Sequence, residues 1–559
     1  MKNRLLLLLI LPGLLHAQNN IPLKQLAQDF FAFRTMEQPI TSDDIPRVER
    51  PDGWTPDFSP EALTEYNSKY KDFRKRLEEI DMSNFTRHDS VDFLLLHSAI
   101  ERVNWELNIL KLPEKDPDFY VQQTLGAVFD LLVISSPING TREKNLIIRL
   151  NSIPKTVSYA KENLTDPVEA FADIALDELS HAGKRLAETE TALDKIFPDS
   201  LKKPLNDAVK KASAALTDFE SWIKKNKPNM TGKFNVDREG YIYFLKNVAL
   251  IPYTPEELLS MGHMEFNRAV AFDAAEALRD KNAPKLKLFA NVQEQINAEK
   301  NDEEAIRKFL TEKDIMSVPQ WIKHYINRKM PDYVAPLADV GEDDDFTSPT
   351  RLNEDGLRYI PDPSSSLPFF SRVSAMDPRP IIVHEGVPGH YFQLVRSWAN
   401  SDPVRRHYFD SGANEGIAFY LEELMQQFGL FDNKPRTREI IYRFMRLRAL
   451  RVDVDINLAL GKYTIKDAGK YLAATVPMDL QSAIHEAGFF ALTPGQGISY
   501  QIGKLQILKL ISDGNILLGD KFNLKNYHDY MLDNGNLPIA LQRWEYLGLK
   551  DEIKKLWPN

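Results

Sequence analysis

The chain has 559 residues, of which 43% are hydrophobic and 27% charged, and a formal net charge of −10; this is the profile of a soluble globular protein with enough chain for any ordinary core. The acidic balance excludes the basic face that a nucleic-acid binder needs. There is no cysteine, so disulfides, lipid attachment at a cysteine and thiolate metal ligands are excluded, and any metal must be held by histidine, carboxylate or other oxygen ligands.

Residues 1–17 read MKNRLLLLLILPGLLHA, with Lys2 and Arg4 ahead of a short apolar run. This is the pattern of a secretory signal peptide, and the run is too short to span a bilayer. No later run is long enough to span either, so the expected product is exported, periplasmic or secreted, without a membrane span. Ser59 then reads as an N-cap with Pro60 at the first helical position, opening an amphipathic helix over 62–80. Residues 89–110 place Phe93, Leu96, Ile100, Val103 and Leu107 at helical spacing. Asp166-Pro167 opens a helix expected to reach Phe197, and 202–225 form another. Thr254-Pro255-Glu256-Glu257 starts a helix reaching Arg279. Two short runs, 241–244 and 379–383, read as strands. Residues 332–380 are rich in Pro, Asp and Ser and read as long loops, with the acidic run at 343–345 a solvated turn. The fold class is mainly α. A soft boundary at 229–233 divides an N-terminal helical scaffold, 18–230, from a catalytic region, 231–559.

The chemistry is concentrated in HEGVPGH, from His384 to His390. Two neutral imidazoles and an adjacent carboxylate are what metal-assisted hydrolysis needs. In the commonest arrangement the histidines stand four apart on one helical face. Here they stand six apart, which on a regular helix turns the second by about 240°, nearly to the opposite face. Pro388 and Gly389 offer the remedy, a break that brings His390 back toward His384 before Tyr391, Leu394, Val395 and Trp398 resume helical spacing. A third ligand is offered by Glu415, in the first turn of a helix whose stripe is Ile417, Tyr420, Leu421 and Leu424. Taken alone, these residues leave metal binding and a chance His-Glu pair both open; His485-Glu486 is such a pair with no second histidine nearby.

Three segments in order, HEGVPGHYFQ (384–393), EGIAFY (415–420) and PGQGISYQIG (494–503), resemble the bacterial family called domain of unknown function 885, whose pattern is HE-x-x-PGH and Gln, then EGWA-x-Y, then PGQ-x-x-x-Y-x-x-G. Tyr391 stands where that family often has a second histidine, and Ile417 replaces its tryptophan. The family is similar to helical gluzincins, among them carboxypeptidase Taq and the angiotensin-converting enzymes. The resemblance implies a large helical zincin-like metallopeptidase fold with a deep cleft and a few short strands near the metal. It implies Zn²⁺ held by His384, His390 and Glu415, with Glu385 as the base and short peptides as substrate. Tyr500 is the candidate for stabilising an oxyanion, against a reading as a packed core tyrosine. Arg451 could bind a substrate carboxylate, or pair with Asp453 or Asp455. Gln496, within a family motif, is a candidate substrate contact; His181, His263, His324 and His407 are unassigned, since a lone histidine at helical spacing is more often packed or on the surface, and His407, eight residues before Glu415, stands nearest to a supporting role. The alternatives to a peptidase are a metal-dependent amidase acting on cell-wall fragments or modified amino acids, and a non-catalytic binding protein of the same fold.

Overall fold

The computed structural model describes residues 20–41, 46–434, 436–476 and 478–557; the expected signal peptide lies outside them. Helix takes 68% of the described residues and strand 2%, so the mainly α expectation holds. Among the described residues no helix is long and apolar enough to cross a membrane.

The first helix, α1 (Ile21–Glu37), packs on α2 (Pro60–Glu78) and α3 (Arg87–Asn104). Ser59 caps α2 by accepting from the Ala62 amide, and Thr86 caps α3 reciprocally with Asp89. The single helix expected over 166–197 is two, α4 (Glu169–Leu179) and α5 (Ala182–Leu193). The chain breaks at His181, which adopts a left-handed backbone with φ of 61°. Arg185 holds the break by donating to the carbonyl of Glu178 and to that of Pro336. Helix α6 (Asp199–Asn226) then runs unbroken, and α7 (Pro255–Arg279) opens with a capping box between Thr254 and Glu257.

Neither expected strand is one. Residues Asp237–Tyr243 are helical and pass into a π turn, Phe244–Val248; Arg379–Ile381 pass likewise into Ile382–Gly386. The β-branched and aromatic run misled because it is buried: Tyr241, Phe244, Leu245 and Val248 are all in the core, and their spacing of three, one and three is helical. The strands lie instead at β1 (Tyr325–Lys329), β2 (Asp344–Asp345) and β3 (Gly356–Ile360), in the order β1-β3-β2. β1 and β3 are parallel, with Tyr325 opposite Gly356, and β2 is antiparallel to β3, with Asp344 opposite Arg358. The acidic run is therefore not a solvated turn. Asp344 and Asp345 are 1% and 3% exposed, because Arg358 donates to Asp344 at 2.9 Å and Arg351 to Asp345 at 2.7 Å.

This small sheet separates two cores. Leu357 and Tyr359 face a cluster built from the N-terminal helices, while Tyr325 joins a second cluster with Val383, Val387 and Tyr391. Alternation along β3 turns Arg358 to the side opposite Leu357 and Tyr359. Around the second core stand α8 (His390–Trp398), α9 (Ser411–Gln427), α10 (Thr437–Ala459), α12 (Gln496–Leu518) and α13 (Leu524–Asp533), while α11 (Leu480–Leu492) packs on the far side of α10 in a further cluster with Leu447 and Leu450.

Candidate metal centre

The π turn Ile382–Gly386 presents His384 and Glu385 side by side. Val387 leaves it in an extended conformation, and α8 restarts at His390. Between them the chain doubles back. A Cβ on Gly389 would stand 1.7 Å from the His384 carbonyl oxygen and 2.5 Å from that of Val383, an approach only glycine permits. Gly386 is fixed for a separate reason: a Cβ there would stand 2.4 Å from the Tyr325 ring on β1. The break returns the second histidine to the first, and the two imidazole centroids are 4.7 Å apart at 76°.

Helix α9 starts at Ser411, capped by Asp410 through the Ala413 amide. Glu415 therefore stands in the second turn, not the first. Its Oε2 lies 3.3 Å from His384 Nε2 and 3.4 Å from His390 Nε2. One ligand atom from each residue lies within 4.8 Å of the other two, and all three residues are buried. A tetrahedral ion with bonds of about 2.0–2.1 Å separates its ligands by roughly 3.3–3.4 Å, the same spacing. Neither approach has hydrogen-bond geometry, and Glu415 Oε2 is buried without a hydrogen-bond partner among the described residues. Burying a carboxylate oxygen in that state is costly without a cation before it. The donor set of two imidazoles and one carboxylate, and its geometry, fit a zinc-type divalent ion.

The two histidines are supported differently. Glu422, two turns beyond Glu415 on α9 and fully buried, places Oε1 2.7 Å from His384 Nδ1. Arg448 of α10 donates to Glu422 Oε2 at 3.0 Å, and its Nη2 lies 3.2 Å from His384 Nδ1. The ring of His390 packs edge-on against Phe346 at 6.1 Å. Burial and the Arg448 charge pull the His384 pKa down, but Glu415, Glu422 and Glu385 outweigh them and raise it to about 9. Burial raises the Glu415 carboxyl; His390 and His384 reverse this and hold it far below the usual carboxylate range. A proton thus competes with a cation for the same donors.

Glu385 differs from the three. Its side chain is 20% exposed, against 7% or less for His384, His390 and Glu415, so it is the one that water reaches. Its Oε1 lies 3.6 Å from Arg358 of β3 and its Oε2 4.0 Å from His390 Nε2. Tyr500 of α12 lies half-buried beside His384, its ring nearly parallel at 12° with centroids 6.5 Å apart. The Arg451 guanidinium sits over that ring at 4.5 Å. Arg451 Nε donates to Glu486 Oε1 at 2.8 Å, so its structural partner is Glu486 rather than Asp453 or Asp455. Asp455 instead accepts from the Gly495 and Ile498 amides at the start of α12. Gln496 is the first residue of α12, one turn before Tyr500.

The sequence matches the family described as bacterial protein of unknown function, DUF885, over residues 43–544. The chain belongs to this family. Two solved structures share the fold at 16% identity. One, described as a "putative lipoprotein" of unknown function from Shewanella oneidensis, has a TM-score of 0.71 and covers 94% of this chain and 99% of its own. The other, a "putative lipoprotein" from Colwellia psychrerythraea, has a TM-score of 0.75 and covers 95% and 99%. No curated protein matches the sequence.

The three family segments meet in space. HEGVPGH and Glu415 supply the three converging donors. The glycine that ends the third segment explains how it joins them: a Cβ on Gly503 would stand 2.0 Å from the Gly412 carbonyl oxygen and 2.8 Å from the Gly416 Cα. Helices α9 and α12 cross there backbone to backbone, which sets Tyr500 beside His384. His407, left unassigned by the sequence, packs its ring against Phe31 with centroids 5.4 Å apart. Three residues at the centre escaped the sequence reading, namely Glu422, Arg448 and Arg358. Glu422 was within reach, since seven residues on from Glu415 is the same helical face. Arg358 was not, because its strand was read as loop.

Proposed function

We propose that the chain is a metal-dependent peptidase, with Zn²⁺ held by His384, His390 and Glu415. The observation that carries this reading is the buried Glu415 oxygen, without a hydrogen-bond partner among the described residues and at tetrahedral-edge distance from both histidines. A divalent ion in that site supplies Lewis acidity to water and to a substrate carbonyl. Glu385 accepts the water proton at its carboxylate as the new C–O bond forms. It returns that proton to the amine nitrogen as the C–N bond breaks. Arg358 holds Glu385 in place from the sheet. The Tyr500 hydroxyl donates to the carbonyl oxygen as negative charge grows on it, its ring held between His384 and Arg451. Arg451 and Gln496 are the proposed substrate contacts. The zincin-like relationship and a cleft open to short peptides belong to this proposal. So does export, which the leader-like residues 1–17 and the description of both structural neighbours as lipoproteins support.

The test is cleavage of a mixed peptide pool, read by mass spectrometry, with zinc-loaded wild type and Glu385→Gln. The reading expects turnover by the wild type and none by the variant, with equal metal content in the two. Normal turnover by the variant would reject the role of Glu385. No cleavage by fully loaded wild type would reject the peptidase reading, and turnover of muropeptides alone would favour the amidase.

A further inference from the structure

A cavity of about 260 Å³ opens between the N-terminal helices and the starts of α9 and α12. Its position relative to the centre follows from helix geometry. Ser411 lines it four residues before Glu415, and Gln496 lines it four residues before Tyr500. Residues four apart share a face and are separated by about 6 Å along the axis. The cavity therefore lies one turn from the candidate centre on both helices that build it. Its wall is largely apolar and aromatic, with Phe31, Trp105 and Phe244 among its surfaces.

Arg102 of α3 lines this cavity, and its charge acts on the Asp410 carboxyl across it. Its guanidinium makes no hydrogen bond and no ion pair among the described residues. Among the described residues, the two acids that line the cavity already accept other hydrogen bonds. Glu106 takes both terminal nitrogens of Arg34, at 2.9 and 3.0 Å. Asp410 caps α9, accepting from the Ala413 amide at 2.7 Å. A guanidinium is a planar fork that pairs best with a carboxylate through two parallel hydrogen bonds, and partial removal from water strengthens that pairing.

We propose that this cavity receives the carboxyl-terminal end of a peptide, with the terminal carboxylate on Arg102 and an apolar side chain against the aromatic wall. The proposal rests on the peptidase reading and deepens it. Extended peptide advances about 3.3 Å per residue, so a cavity one helical turn from the centre places the cut within a few residues of the peptide's carboxyl terminus.

The test is calorimetric binding of acetyl-Ala-Ala-Phe and of its carboxamide to the full chain carrying Glu385→Gln, which keeps the cavity intact. The expected result is at least tenfold tighter binding of the acid. Adding Arg102→Ala should erase that preference, and Arg102→Lys should restore part of it. Equal affinity for acid and amide in the protein with Arg102 would overturn the proposal, as would an undiminished preference in the alanine variant. The two readings fail separately. An Arg102-dependent preference in a protein that cleaves nothing supports the cavity and removes the peptidase. Cleavage by a protein that binds acid and amide alike does the reverse.

Discussion

Replacing Gly503 by alanine tests whether the crossing of α9 and α12 sets the geometry of the centre. The new Cβ would stand 2.0 Å from the Gly412 carbonyl oxygen and 2.8 Å from the Gly416 Cα. Both are backbone atoms, so no side chain can swing aside. Real Cβ atoms essentially never come within 3.0 Å of a neighbour, so the helices must part by about 1 Å in an interior already close-packed. Overpacking of this kind costs about 1–3 kcal/mol. The same displacement moves Tyr500 away from Glu415 and His384, and 1 Å of misplacement at reacting groups costs roughly 10²-fold in rate. Urea unfolding measures the first effect and peptide turnover the second. Gly183→Ala is the control: its Cβ meets Ser213 Cβ at an ordinary 3.6 Å, and the change should be neutral or stabilising by up to about 1 kcal/mol. A Gly503→Ala protein as stable as the wild type would refute the claim that backbone contact holds these helices in register.

His528 should make stability depend on pH. It is buried, its Nδ1 2.8 Å from the Ile315 carbonyl and its Nε2 2.9 Å from the Tyr420 hydroxyl, and burial depresses its pKa to about 4. Because the unfolded value, about 6.5, is higher, acid favours the unfolded chain. The stabilisation is present above about pH 6.5 and is lost as pH falls toward 4, with about 2 kcal/mol gone between pH 7 and 5. Urea unfolding at both pH values should show that much less pH dependence in His528→Asn; identical profiles would contradict it. Glu422→Gln should weaken zinc binding by about 10–100-fold through the freed His384 ring, read by chelator competition, and should lower stability because Arg448 loses its buried counter-charge. Unchanged affinity would mean that His384 needs no such support. Tyr500→Phe should lower kcat by about 10²–10³ with zinc content unchanged, whereas an unaltered rate would make Tyr500 a packing residue.

Much of the centre was legible in the sequence because its constraints are local. Six residues between histidines demand a break, and Pro388 with Gly389 supplies one; the structure adds that Gly389 is needed because its Cβ position is occupied by the His384 carbonyl. Capping signals at Ser59 and Thr254 placed two helix starts correctly for the same reason. What failed depended on partners distant in sequence. The acidic run was read as solvated because nothing near it says that Arg358 and Arg351 neutralise it. The run at 379–383 reads as a strand because burial on all sides removes the periodicity that separates strand from helix, and the run at 241–244 because four residues are too few to show the helical spacing that continues to Val248. Arg451 was given the nearest acids as partners, and its actual partner, Glu486, belonged to the His-Glu pair set aside as chance.

Zinc stoichiometry of the purified protein, measured by mass spectrometry of the metal for wild type and for His390→Ala, bears most directly on the central claim. One tightly held ion per chain in the wild type, and its loss in the variant, is the predicted result. A wild-type protein that holds no stoichiometric divalent ion after zinc loading, or a variant that holds it equally well, would contradict the account.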